Sequence, residues 1–115
     1  MQDFTPCVGR WQVMDHETVN RIEALDTGEL LLGLEGQGKS MYQYIYREAA
    51  GVYWDQAKHG FKSTTMKEWS CSQWYKHIVS VVRSGLGVEL VLANHISWSN
   101  VPEKEKAEIL RGNAI

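Results

Sequence analysis

The chain has 115 residues, of which 43 % are apolar and 23 % are charged, and this ordinary globular composition excludes a disordered or low-complexity protein. Its formal net charge of −2 excludes a general electrostatic attraction to nucleic acid. We expect one domain over residues 1–115, located in the cytoplasm. No stretch approaches the roughly 18 apolar residues of a membrane span, and the N-terminal residues lack the basic-then-apolar order of a signal peptide.

The first predicted elements are short strands. Gly9–Met14 alternates polar and apolar residues, the pattern of a half-buried strand. Val19–Leu25 and Glu29–Leu34 are joined by a short linker that ends in Gly28, which can take the positive φ of a tight hairpin. We therefore predict that these two segments pair antiparallel. Further strands are expected at Val52–Trp54 and Phe61–Ser63.

A glycine-rich segment follows the hairpin and carries a motif. Gly33-Leu34-Glu35-Gly36-Gln37-Gly38-Lys39-Ser40 fits the phosphate-binding pattern G-x-x-x-x-G-K-[ST] at every fixed position. With the leucines before it, the segment is similar to the first strand and phosphate loop of small Arf-like GTPases. This resemblance implies that loop amides wrap phosphates, that Lys39 reaches the β and γ oxygens, and that Ser40 holds magnesium.

The rest of the chain departs from that family. A P-loop follows a strand of a mostly parallel sheet, whereas an antiparallel hairpin precedes Gly33 here. The apolar strand Leu90–Ala93 ends in Asn94, where such an NTPase needs a metal-binding Asp. We therefore favour a glycine-rich hairpin loop, with nucleotide or phosphate binding as the alternative. The alternative site would consist of Gly33, Gly38, Lys39 and Ser40.

Tyrosines occupy every second position after Ser40. Tyr42, Tyr44 and Tyr46 alternate with other residues, and this period of two favours a strand over residues 41–47, although a helical stripe is also compatible. One face of such a strand must bury or display its tyrosines. Aromatic side chains with polar tips dominate interface hot spots and ligand pockets. We predict a binding face formed by Tyr42, Tyr44, Tyr46, Tyr53 and Trp54. Its partner would be another protein or a second copy in a homodimer, and a small-molecule ligand is possible.

The C-terminal half predicts two helices and a strand. Capping boxes begin at Thr65 and at Ser70, apolar residues follow at helical spacing, and Gly85 suits a left-handed stop, so we predict a long helix over about Met66–Ser84. Val88–Ala93 is expected to be a central strand. A short helix should start near Pro102 and end at Arg111 and Gly112.

These elements predict an α+β fold. We expect a strongly bent antiparallel sheet of about five or six strands. Its N-terminal half should be a β-meander, and the long helix should pack across it.

The region 58–83 is basic, and a third hypothesis is weak nucleic-acid binding through it. The bases are Lys58, Lys62, Lys67, Lys76 and Arg83, opposed by Glu68 alone. They are dispersed along the sequence, so we favour a solvated helix face and regard nucleic acid as an unlikely partner.

The cysteines and histidines form no catalytic or metal-binding pattern. Cys7 and Cys71 lie far apart and in no C-x-x-C pair, so we expect free thiols. The four histidines lack H-x-x-x-H and H-E-x-x-H spacing, and no motif marks a nucleophile beside them. We therefore predict a non-catalytic protein without a metal or a cofactor.

Overall fold

A mixed sheet, one long helix and a short C-terminal helix form an α+β fold, which confirms the predicted class. The computed structural model describes residues 15–65 and 70–113. The predicted strand Gly9–Met14 lies outside them, as does most of the first capping box. In chain order the elements are β1 (Asp15–Ala24), β2 (Leu30–Leu34), a 3₁₀ helix (Ser40–Glu48), β3 (Val52–Asp55), β4 (Gly60–Ser63), α1 (Cys71–Leu86), β5 (Val88–Ser99) and α2 (Glu103–Asn113).

The predicted hairpin of β1 and β2 is confirmed. The two strands pair antiparallel, and the Gly28 amide closes the turn by donating to the Leu25 carbonyl at 2.9 Å. Pairing shifts between Val19 and Arg21, so β1 carries a bulge there. Every residue of β2 is buried, and β2 lies between β1 and β4 in the sheet order β3-β4-β2-β1-β5.

The prediction of a β-meander with a tyrosine strand is wrong. Residues 41–47 lie within the 3₁₀ helix, and β4 rather than β3 pairs with β2. The prediction failed because the residues that the core buries in this segment are three positions apart and not two. Tyr42 and Ile45 are both buried, and residues three apart share one face of a 3₁₀ helix. The chain therefore forms two antiparallel hairpins, β1–β2 and β3–β4, with the 3₁₀ helix between them.

The strand predicted near Val88 is present but lies at the edge of the sheet. Among the described residues β5 pairs only with β1 and runs parallel to it, so the sheet is mixed rather than antiparallel throughout. This direction follows from α1, which crosses over between β4 and β5. Val88 and Leu90 are buried, whereas Glu89 and Val91, which alternate with them, are partly exposed. The apolar run is therefore fully buried on one face only.

The long helix α1 begins at the second of the two predicted caps. Ser70 Oγ accepts a hydrogen bond from the Gln73 amide at 3.3 Å, and Gln73 Oε1 accepts one from the Ser70 amide at 2.8 Å. The helix continues past Gly85, because the left-handed residue that ends it is Gly87 at φ 68°. Burial in the core raises the pKa of the Tyr75 phenol to about 12.

The C-terminal helix α2 starts directly after Pro102, as predicted, and Ile109 anchors it in the core. None of the helices in residues 15–65 and 70–113 is long and apolar enough to cross a lipid bilayer.

Candidate functional site

Three aromatic rings fasten the 3₁₀ helix to the β3–β4 hairpin. The Tyr42 ring centroid lies 5.3 Å from that of Trp54 and 5.3 Å from that of Phe61, and the Trp54 and Phe61 centroids are 4.9 Å apart. Such separations favour edge-to-face attraction in addition to burial of area. The Trp54 indole N–H donates to Gln56 Oε1 at 2.8 Å. Tyr42 has 0 % of its surface exposed, so it packs beneath the predicted binding face and has no area to offer a partner.

The 3₁₀ helix turns its remaining aromatic side chains outward. Met41 is 43 % exposed, Tyr44 45 % and Tyr46 52 %. Because residues three apart are eclipsed in a 3₁₀ helix, Met41, Tyr44 and Arg47 form one column. The Arg47 guanidinium carbon lies 4.4 Å from the centroid of the Tyr44 ring, a cation–π contact that holds both side chains. We call Met41, Tyr44, Tyr46 and Arg47 the tyrosine surface.

Tyr53 is exposed but lies elsewhere. It is 43 % exposed on β3, where Trp54 faces the aromatic cluster, so the alternation of a strand directs Tyr53 to the opposite face of the sheet. Its partner across the ladder is Lys62. The five predicted binding residues are therefore not brought together: Tyr44 and Tyr46 share the tyrosine surface, Tyr42 and Trp54 support it, and Tyr53 is separate.

Packing requires glycine at position 38 of the phosphate-loop pattern but not at position 33. A Cβ on Gly33, within β2, would lie 2.5 Å from the Arg21 guanidinium carbon, which ends a flexible side chain that can move aside. Gly38 has φ +79°, and its Cβ would lie 2.7 Å from Trp54 Cη2. Lys39 and Ser40 are exposed, and the Lys39 carbonyl accepts a hydrogen bond from the Tyr42 amide at 3.0 Å. A 3₁₀ helix, rather than the α-helix of a P-loop, then begins at Ser40.

The bases of region 58–83 do not share one face. Lys62 lies on the sheet face opposite the core and forms ion pairs with Glu29 at 3.6 Å and Asp55 at 3.4 Å. Burial opposes ionisation of Asp55, but the Lys58 amide and Lys62 outweigh it and hold the pKa of that carboxyl below its ordinary value. Arg83 pairs with Glu89 at 4.0 Å near the end of α1. Lys67 lies outside the described residues.

A polar groove separates the first turns of α1 from α2, and the sequence-based predictions missed it. Its volume is about 630 Å³, and its lining residues are Ser70, Ser72, Gln73, Lys76, Lys104, Glu105, Glu108 and Arg111. Two carboxylates of α2 lie at the floor of the groove and are hydrogen-bonded to Ser72 of α1. Glu105 Oε1 accepts a hydrogen bond from the Ser72 amide at 2.9 Å, and Glu108 Oε1 accepts one from Ser72 Oγ at 2.9 Å. The Ser72 amide lowers the pKa of Glu105. The spacing of Glu105 and Glu108 was the available signal, because it places both on one helix face.

The remaining reactive residue types are isolated or buried. Cys71 is a free thiol, and burial raises its pKa, which disfavours the nucleophilic thiolate. His77 Nε2 lies 2.8 Å from the Ala50 carbonyl oxygen, a contact that ties α1 to the loop before β3. Within residues 15–65 and 70–113 no group of three His, Cys, Asp or Glu side chains is arranged to hold a metal ion.

Comparison with known proteins gives the family. The sequence profile of Integron Cassette Protein Hfx_Cass5 matches residues 36–96, more than half of the chain. The chain belongs to the Hfx_Cass5 family. A solved Hfx_Cass5 structure, described as coming from the mobile metagenome of North West Arm Sewage Outfall, is 36 % identical, and the alignment covers 90 % of this chain and 100 % of that chain with a TM-score of 0.40. No curated protein matches the chain.

The family assignment rests on identity and coverage. The Hfx_Cass5 description names a genetic origin, the integron cassette, and no catalytic activity. The matched residues 36–96 include the tyrosine surface, the aromatic cluster and α1, but they end before α2.

Proposed function

We propose that this member of the Hfx_Cass5 family is a non-catalytic binding module whose tyrosine surface engages another protein. The observation that carries the proposal is that one side of the 3₁₀ helix is buried in the core while the other side is exposed. Tyr42 and Ile45 are buried, while Met41, Tyr44 and Tyr46 each expose more than two fifths of their surface. Large rigid side chains on a fixed backbone bind with little loss of conformational entropy, which is why aromatic residues dominate hot spots.

The charge beside these rings favours an acidic partner. Arg47 stacks on Tyr44, and its guanidinium donates hydrogen bonds in a planar fork suited to a carboxylate. Among the described residues Arg47 has no ion-pair partner. A two-fold dimer centred on this surface would bring the two copies of Arg47 close together, and repulsion between their like charges opposes that arrangement. The partner we propose is a different protein that presents apolar side chains next to Asp or Glu.

Selection from a displayed random-peptide library tests this proposal without knowledge of the host. The wild-type chain is the bait, and the Tyr44→Ala/Tyr46→Ala variant removes non-specific binders. Enrichment of peptides that combine apolar residues with Asp or Glu is the expected result. Sedimentation of the wild-type chain as a dimer that the same variant dissociates would replace the proposed partner by a second copy. Failure to enrich any peptide that needs the two tyrosines would contradict the proposal.

Nucleotide or phosphate binding by Gly33–Ser40 is the second candidate, and the complete motif is the observation that favours it. The packing role of Gly38 weakens it, since this glycine is needed without a ligand. A melting curve measured with magnesium and ATP or GTP tests nucleotide binding, because a tight ligand raises the melting temperature by mass action. A rise in melting temperature that Lys39→Ala abolishes would support phosphate binding, and an unchanged melting temperature would rule out this candidate function.

A further inference from the structure

The groove between α1 and α2 gathers positive charge in an acidic chain. Lys76 from α1 and Lys104 and Arg111 from α2 line it. None of these three cations forms an ion pair with a described residue, although Glu105 and Glu108 belong to the same lining. Both carboxylates are instead hydrogen-bonded to Ser72 on the groove floor. The three cations outnumber the two carboxylates, so the lining carries a formal charge of +1, and this surplus favours an anionic ligand.

The shape of the groove restricts the ligand. Lys104 and Arg111 lie two helical turns apart along α2, about 10 Å at 1.5 Å per residue, and Lys76 faces them from α1. That separation suits an elongated ligand with anionic groups at both ends better than a single small anion. A volume of about 630 Å³ lies within the range of small-molecule sites. Gln73 and Ser70 add neutral polar groups to the same lining.

We propose that this groove binds a small elongated molecule with two or more anionic groups, held between Lys76 on one side and Lys104 and Arg111 on the other. The anionic groups are phosphates or carboxylates, and the protein chemistry that recognises either is the same. This site is distinct from the tyrosine surface, which lies on the 3₁₀ helix, and from Lys39 in the glycine-rich loop.

Titration of the ¹⁵N-labelled chain, followed by amide NMR shifts at low ionic strength, tests the proposal. Tripolyphosphate is the probe for phosphate ligands and citrate the probe for polycarboxylates. The expected result is a saturable shift of the amides of Ser72, Gln73 and Lys76 with at least one probe. The double variant Lys104→Gln/Arg111→Gln should weaken that binding by at least about tenfold, the loss expected for removing two charge-assisted hydrogen bonds.

A matched control separates the groove from net charge. Lys58→Gln/Arg83→Gln removes one Lys and one Arg outside the groove, so it changes the formal charge by the same amount and should keep the wild-type affinity. An equal loss in both double variants would mean diffuse electrostatic attraction and would overturn the site. So would the absence of saturable shifts with either probe, or binding that is lost only in Lys39→Ala.

Discussion

The Tyr42 phenol donates a hydrogen bond of 2.6 Å to the Glu17 carboxylate, joining the 3₁₀ helix to β1 across 25 residues of sequence. Tyr42 is also the ring that contacts both Trp54 and Phe61. One residue therefore fixes the helix to two parts of the sheet. The orientation of the tyrosine surface depends on it.

Removing that hydroxyl should destabilise the fold. Tyr42→Phe keeps the ring and loses the bond to a carboxylate, so we expect the free energy of unfolding in urea to fall by about 1 to 2 kcal/mol. Tyr44→Phe is the matched control, because its hydroxyl belongs to an exposed side chain, and its effect should stay within about 0.5 kcal/mol. Equal losses in the two variants would show that the Glu17 bond does not hold the helix.

Gly38 should tolerate no side chain, even in the absence of any ligand. Gly38→Ala places a methyl group 2.7 Å from Trp54 Cη2 at a φ of +79°, so we expect a loss of about 1 to 3 kcal/mol in unfolding free energy. Gly36→Ala is the control, since its nearest contact would be Glu17 Oε1 at 3.5 Å. Near-neutral unfolding data for Gly38→Ala would contradict the packing role of this glycine.

The Ser72–Glu105 contact should make stability depend on pH. Its hydrogen bond to the Ser72 amide places the pKa of Glu105 in the folded chain below the ordinary value of 4.5. A carboxylate of this kind stabilises the fold above its unfolded pKa, and the contribution disappears as the pH falls through the folded pKa. We expect Glu105→Gln to lower the melting temperature at pH 7 and to differ progressively less from wild type below about pH 4.5.

Glu103→Gln serves as the control for that experiment. Glu103 starts the same helix, and its one ion pair with a described residue is the exposed i,i+3 contact with Lys106 at 2.7 Å. Its substitution should change the melting temperature little at any pH. A difference between wild type and Glu105→Gln that stays constant from pH 7 to the acid range would rule out the carboxylate as the cause.

Local chemistry explains which elements the sequence could predict. The β1–β2 turn, the Ser70–Gln73 capping box and the helical spacing of Ile78 and Val82 are signals within a few residues, and each led to the correct element. The prediction for the tyrosine segment was wrong because its tyrosines stand at every second position, and that spacing is typical of a strand. The core instead buries Tyr42 and Ile45, which are three positions apart, and the segment forms a 3₁₀ helix.

Long-range contacts explain what the sequence could not predict. The place of β5 at the sheet edge depends on the crossover through α1, and a run of apolar residues looks the same at the edge and at the centre. The sequence identified Tyr44 and Tyr46, but not the separation of Tyr53 from them, which requires knowing that Trp54 faces the core. The spacing of Glu105 and Glu108 places both on one face of α2, but no local pattern shows that this face meets Ser72, 33 residues from Glu105.

The affinity of one selected peptide for three forms of the chain tests the binding proposal most directly. Calorimetric titration would compare wild type, Tyr44→Ala/Tyr46→Ala and the control Tyr53→Ala, which removes a tyrosine of similar exposure from the other face of the sheet. We expect the double variant to bind at least about tenfold more weakly while unfolding within about 0.5 kcal/mol of wild type, and Tyr53→Ala to bind normally. Equal affinity in all three forms would contradict a binding role for the tyrosine surface.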